Sequence, residues 1–151
     1  MIKNSVKLFL ALVVVLSYVS FSEALCVTAA EVQLRKGPNN KTAKTWTVYK
    51  YMPLKQKEKK GTWYKVSDVD GEIHWINAKQ VTSAYKCAVV VKDKTNIRVM
   101  PDNKAKKLPI SPLDKYYSFK VLKYEKKNNW INVMDQVGNK GWISKDLLWI
   151  E

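Results

Sequence analysis

Short runs of β-forming residues, separated by polar turns, make up the chain from residue 25 onward, and helical periodicity is absent there. The runs that predict strands are residues 45–49, 54–59, 63–66, 73–76, 89–91, 96–99, 118–124, 130–134 and 140–143. Residues 77–80 and 144–147 each predict one 3₁₀ turn, followed by a final strand at 81–82 or 148–150. The pattern predicts an all-β protein.

This strand pattern occurs twice along the chain. Five residues of the first copy, namely Trp63, Val66, Asp68, Gly71 and Trp75, recur with unchanged spacing as Trp130, Val133, Asp135, Gly138 and Trp142. Further upstream, Leu34–Pro38 recurs as Ile97–Pro101, and Lys50–Tyr51 recurs as Lys115–Tyr116. A repeat of this length indicates two small modules in tandem, residues 25–83 and 84–151. We expect each to be a small closed β-barrel, because closure removes exposed strand edges.

The N-terminus has the features of an export signal. Lys3 and Lys7 precede an apolar run over residues 8–19, which is shorter than the roughly 20 residues of a membrane span. We expect cleavage after Ala24, which leaves residues 1–24 as a signal peptide and no transmembrane segment in the mature chain. A retained anchor and a lipoprotein modified at Cys26 are the alternatives. The protein is therefore expected to be exported, either periplasmic or secreted and associated with the cell wall.

The chain has two cysteines, Cys26 and Cys87, each just ahead of the first predicted strand of its module. Because an exported protein enters an oxidising compartment, we predict a disulfide that ties the two module entrances together. The alternative is a pair of half-buried free thiols.

Positive charge dominates, with 27 Lys and Arg against 13 Asp and Glu. Removing the signal leaves 25 − 12 = +13, a charge that attracts polyanions. Export favours envelope anions as partners, and no nucleic-acid partner is expected. Since the lysines are scattered, a solvated surface explains many of them equally well.

The repeated motifs resemble a pair of bacterial SH3 (SH3b) domains. Leu34–Pro38 matches the hydrophobe–Arg–turn–Pro start of that family, and Trp130–Val133 with Gly138 and Gly141–Ser144 matches its later strands. The resemblance covers about residues 27–82 and 88–150. Met100 and His74 replace glycines of the pattern. The resemblance implies binding modules of exported bacterial proteins, often found beside wall hydrolases and thought to hold peptidoglycan peptides.

An enzyme is not expected. One histidine and two cysteines in separate modules do not supply a Cys–His pair or a zinc site, so no cofactor, metal or catalytic residue is predicted. Asp68 and Asp135 occupy equivalent positions, which favours a role in the hairpin turns over glycosidase chemistry. His74 is more typical of a packed residue than of a functional one.

The aromatic residues are the best candidates for a binding site. Trp63, Trp75, Trp130 and Trp142 are repeated and are assigned to the core. A partly exposed ligand groove is predicted from the others, namely Trp46, Tyr49, Tyr51, Tyr116, Tyr117 and Trp149. Since Tyr51 and Tyr116 are repeated, a structural role fits them equally well.

We therefore predict a non-catalytic binding module that recognises peptidoglycan or its stem peptides through aromatic stacking and lysine contacts. The alternative is an envelope adaptor that holds a partner polypeptide between two SH3-like barrels. A third hypothesis, a general polyanion-binding surface, predicts binding that falls steeply with salt.

Overall fold

A computed structural model describes residues 22–125 and 127–151, so most of the predicted signal peptide, residues 1–24, lies outside the described residues. The strands are β1 (Ala24–Val27), β2 (Glu31–Arg35), β3 (Lys44–Tyr49), β4 (Pro53–Lys60), β5 (Trp63–Ser67), β6 (Ile73–Asn77), β7 (Val81–Thr82), β8 (Cys87–Val90), β9 (Ser118–Glu125), β10 (Trp130–Met134), β11 (Lys140–Ser144) and β12 (Leu148–Ile150). Short 3₁₀ helices at Ala78–Gln80 and Lys145–Leu147 precede β7 and β12. The all-β prediction is confirmed for these residues.

The strands form two antiparallel sheets, one in each module. The first has the order β3-β2-β6-β5-β4-β1-β7 and the second the order β11-β10-β9-β8-β12. The second order repeats the run from β6 to β7 of the first sheet, which agrees with the sequence repeat. Closure of either sheet into a barrel stays a prediction.

Between β8 and β9, where every residue is described, the second module has no regular counterparts of β2 and β3. The strand predicted over residues 96–99 is not formed, since Arg98 makes only isolated bridges to Lys107 and Trp142. Pro101, Pro109 and Pro112 follow in this segment. Because proline has no N–H to donate to a ladder, the segment crosses the module as an irregular loop.

Side-chain alternation decides which repeated residues reach the cores. In β6, His74 and Ile76 point inward, so Trp75 between them is only half-buried. The same alternation leaves Trp142 half-buried in β11. Trp63 is also half-buried, whereas Trp130 is buried. The assignment of all four repeated tryptophans to the core is therefore correct only for Trp130.

The repeated aspartates hold the hairpin turns. Asp68 Oδ1 accepts hydrogen bonds from the backbone N–H groups of Asp70 and Glu72, both at 2.9 Å. Asp135 Oδ1 makes the equivalent bonds with Val137 at 3.0 Å and Asn139 at 2.8 Å. This arrangement confirms the structural role predicted for both carboxylates.

A disulfide joins the two modules between β1 and β8, as predicted. Cys26 and Cys87 are bonded and have no solvent exposure, although they lie within their strands and not ahead of them. Leu25 and Val27 point into the first core, so Cys26 lies on the opposite face of β1. Val89 lies on the same face of β8 as Cys87 and packs into the first core. The modules therefore share apolar packing as well as a covalent bond.

We expect the double substitution Cys26→Ala and Cys87→Ala to lower the free energy of unfolding. The bond spans 61 residues, and releasing a loop of that length costs about 4 kcal/mol in the chain-entropy model. Urea unfolding of the variant and the wild type measures the loss, and the reduced wild type serves as the control. An unfolding midpoint that does not change on reduction would contradict the stabilising role of the bond.

Candidate functional site

A cleft of about 420 Å³ lies between the two modules. Its lining residues are Trp46, Thr47, Tyr49, Met52, Asp114, Lys115, Tyr116, Tyr117, Ser118 and Gln136. One wall is the edge strand β3, and the other is the loop that leads into β9. Apolar and aromatic surface makes up most of this lining, which is typical of a ligand site with few polar groups.

The two walls meet through a contact of aromatic rings. The ring centroids of Trp46 and Tyr116 are 5.2 Å apart with an interplanar angle of 74°, an edge-to-face packing. The Tyr116 hydroxyl donates a hydrogen bond to Asp70 Oδ2 at 2.5 Å, and Lys115 Nζ donates to Asp70 Oδ1 at 3.0 Å. Lys115 also lies over the Tyr116 ring, 4.5 Å from its centroid. These contacts close one side of the cleft across the module boundary.

These polar contacts shift two ionisation equilibria. The hydrogen bond from Tyr116, and then that from Lys115, lowers the pKa of the Asp70 carboxyl below its usual value. Contacts with the Tyr116 hydroxyl and the Asp70 carboxylate raise the pKa of the Lys115 ammonium. Both groups therefore keep their opposite charges across the physiological pH range.

Tyr117 is fixed from within its own module. Its hydroxyl donates to Asp135 Oδ2 at 3.2 Å, and its ring packs against Phe119 with centroids 5.0 Å apart. Burial raises the pKa of the Tyr117 hydroxyl, and the nearby Asp135 carboxylate raises it further. The Tyr117 hydroxyl therefore stays protonated. Its bond to Asp135 and the contact with Phe119 hold the Tyr117 ring in place at the cleft.

The structure brings together four of the six aromatic residues predicted to line a groove: Trp46, Tyr49, Tyr116 and Tyr117. Tyr51 is only 7% exposed and packs against Tyr85 beside the disulfide, which places it outside the cleft. Trp149 pairs with Val89 in β12 and packs on the first core, so it does not line the cleft either.

Sequence reasoning missed several polar lining residues: Thr47, Asp114, Ser118 and Gln136. It also missed Asp70, which orders the cleft from the β5–β6 hairpin. The repeat contained a signal for Asp70, because Val137 occupies the matching position of the second copy. A charged residue present in only one copy is not required by the shared fold.

A hydroxyl, an imidazole and a carboxylate lie in a row in the first module. His74 Nδ1 is 2.8 Å from Thr45 Oγ1, and His74 Nε2 is 3.0 Å from Asp68 Oδ2. His74 is only 7% exposed, and neither it nor its two partners lines the cleft. Because Asp68 also holds the hairpin, the row fits a packed network that joins β3, the turn and β6.

Residues 28–82 match the family described as bacterial SH3 domain. This span carries a bacterial SH3 domain. The match covers the first module, and an SH3 identity of the second module stays a prediction. No curated protein matches the chain.

Solved structures with similarity to the chain include an NlpC/P60 family protein from Bacillus cereus ATCC 10987, with 15% identity, a TM-score of 0.39, and coverage of 85% of this chain and 56% of that chain. NlpC2 from Trichomonas vaginalis has 13% identity, a TM-score of 0.37, and coverage of 85% and 48%. NlpC1 from the same organism has 11% identity, a TM-score of 0.34, and coverage of 84% and 45%. The chain spans about half the length of these proteins.

Over residues 22–125 and 127–151, no helix has the length and apolar character needed to cross a membrane. Within the same part of the chain, no group of three or more His, Cys, Asp or Glu residues is placed to hold a metal ion.

We expect the Asp70 carboxyl to titrate below the usual pH of an aspartate, and the substitution Tyr116→Phe to move its midpoint upward. Because folding lowers this pKa, the contact stabilises the folded state above the ordinary aspartate pKa and is lost as pH falls through the folded value. Carbon-detected NMR of the Asp70 carboxyl measures the midpoint.

The matched control for this titration is Tyr117→Phe, which removes a hydroxyl bonded to Asp135 instead. It should leave the Asp70 midpoint unchanged. Equal shifts in the two variants would contradict a direct effect of the Tyr116 hydroxyl.

Proposed function

We propose that this protein is a non-catalytic binding module of the cell envelope that holds peptidoglycan through its stem peptides. The observation that carries the proposal is the cleft between the modules, where Trp46, Tyr49, Tyr116 and Tyr117 converge. Rigid aromatic rings beside a few polar groups suit a short peptide with apolar residues.

The cellular setting is part of the same proposal. The bacterial SH3 domain and the Cys26–Cys87 disulfide are compatible with an extracytoplasmic location. The export signal predicted at residues 1–24 supports the same location, and the strand order of residues 84–151 supports a second SH3-like module. In this proposal the protein binds its ligand and does not catalyse a reaction.

We expect Tyr49→Ala to weaken retention on purified peptidoglycan about threefold to tenfold at moderate salt. Tyr49 is 48% exposed and lines the cleft, so its removal takes away stacking surface with little cost to the core. The expected loss corresponds to roughly 0.7–1.4 kcal/mol of aromatic contact. A sedimentation assay with purified peptidoglycan measures the bound fraction over a range of protein concentrations.

The matched control is Tyr124→Ala, because Tyr124 is 42% exposed on β9 and does not line the cleft. Binding by this variant should equal that of the wild type. No retention of the wild type would refute the proposed function, and equal losses in both variants would move the site away from the cleft.

An envelope adaptor is the second candidate, and one observation favours it. Both modules contribute walls to the cleft, which is the arrangement needed to hold a partner polypeptide between them. A photo-cross-linking residue at Gln136, which is exposed in the lining, separates the two functions in cells. Attachment to wall fragments supports peptidoglycan recognition, whereas attachment to one polypeptide supports the adaptor and contradicts the leading proposal.

A further inference from the structure

The cleft runs along the free edge of β3. This strand is last in its sheet and has β2 as its one neighbour among the described strands. Trp46 packs toward the first core, while Thr47 and Tyr49 lie on the two sides of Val48 and point to the opposite face. All three line the cleft. Because side chains from both faces of β3 line the cleft, the cleft lies beside the edge of this strand. The backbone N–H and C=O groups of a strand point toward its edges.

The register of β2 and β3 identifies which backbone groups reach that edge. Glu31 lies opposite Tyr49, and the Lys50 N–H donates to the Ala30 carbonyl at 3.3 Å, which makes residues 30 and 50 a hydrogen-bonded pair in this register. Because bonded and non-bonded pairs alternate in an antiparallel ladder, Val48 and Trp46 bond to β2. Thr47 and Tyr49 direct their N–H and carbonyl groups away from β2.

A second hydrogen bond agrees with this assignment. The Tyr49 carbonyl accepts a hydrogen bond from the Met52 N–H at 3.0 Å. This bond requires the carbonyl to point away from β2, as the register predicts. Three edge groups then remain, namely the N–H and carbonyl of Thr47 and the N–H of Tyr49. Within residues 22–125 and 127–151, no hydrogen bond uses any of the three. The cleft therefore contains a short, unused hydrogen-bonding edge.

We propose that the ligand is an extended peptide that adds to β3 as a further strand, pairing its backbone with Thr47 and Tyr49. This inference rests on the proposed function and specifies it, because it assigns recognition to the stem peptide and not to the glycan. A sugar chain has no continuous amide backbone at the spacing of a strand, about 3.3 Å per residue. Pairing at an open sheet edge is an established way for proteins to bind peptides.

Side chains of the bound peptide then lie on the two faces of the added strand. On one face they meet the Trp46 ring and the Tyr116 ring that packs against it, and on the other they meet Tyr49. Backbone pairing supplies affinity that is independent of side-chain identity, and the aromatic rings supply selectivity. Only three edge groups are available, so a peptide of a few residues is sufficient.

The inference is tested by Thr47→Pro, which deletes the N–H directed into the cleft and leaves the β2 ladder in place. Proline is tolerated on an edge strand at a position whose N–H faces outward. The matched control is Thr47→Val, which keeps that N–H and loses the hydroxyl bonded to Gln33. The probes are intact peptidoglycan, soluble stem peptides released from it, and glycan strands freed of their peptides.

We expect Thr47→Pro to bind the soluble stem peptides about tenfold more weakly than Thr47→Val, since a tenfold loss corresponds to about 1.4 kcal/mol and one hydrogen bond contributes about that much. A measurement on the wild type alone avoids any effect of the proline on folding. Saturation with stem peptides should slow hydrogen exchange at the Thr47 and Tyr49 amides and leave Val48, already bonded to β2, unchanged.

Equal peptide binding by Thr47→Pro and Thr47→Val, or unchanged exchange at Thr47 in the saturated wild type, overturns the inference and leaves peptidoglycan recognition intact. Equal binding of the peptide-free glycan strands overturns it as well. If the wild type does not bind intact peptidoglycan, the proposed function itself fails, so the two failures are distinct.

Discussion

The packing of β1 against β8 is the contact on which the candidate site depends. The Cys26–Cys87 bond crosses this contact, and Val89 of the second module is part of the first core. Both faces of β8 are therefore buried, one in its own module and one against its neighbour. Because the contact is covalent and apolar, it restrains the two cleft walls relative to each other. A ligand that enters does not have to order two independent domains, which reduces the entropic cost of binding.

The repeated pairs Lys50–Tyr51 and Lys115–Tyr116 have the same local conformation but lie in different surroundings. Tyr51 and Tyr116 both adopt a left-handed backbone, with φ of 70° and 73°, and each carries the preceding lysine over its ring. Tyr51 is buried against Tyr85 beside the disulfide, whereas Tyr116 packs against Trp46 in the cleft. The conformation is thus a property of the repeat, and the role in the cleft comes from the way the modules pack.

Much of the fold could be predicted from the chain, because the strands carry strong β-forming runs and five strands of the first module recur in the second. Residues 130–134 match β10, for example. The failures have a physical cause in each case. Pro109 and Pro112, which have no N–H to donate, lie in the segment that would pair with residues 96–99, and strand alternation turns Trp75 and Trp142 away from the core. Sequence alone does not contain the packing of one module on another, which buries Tyr51 beside the disulfide and partly buries Trp149 against the first core.

The charges around the cleft argue against the predicted role of lysine side chains in direct contact with the ligand. The sequence suggested that lysines would contact ligand carboxylates, yet Lys115 is already paired with Asp70, and Asp114 adds a further negative charge to the lining. The cleft is therefore not a concentrated positive site, despite a net charge of +14 for the whole chain. Scattered surface charge acts over about 8 Å at physiological salt, which is enough to draw an anionic polymer close but carries little geometric information. Selectivity then has to come from short-range features, namely the aromatic rings and the open edge of β3.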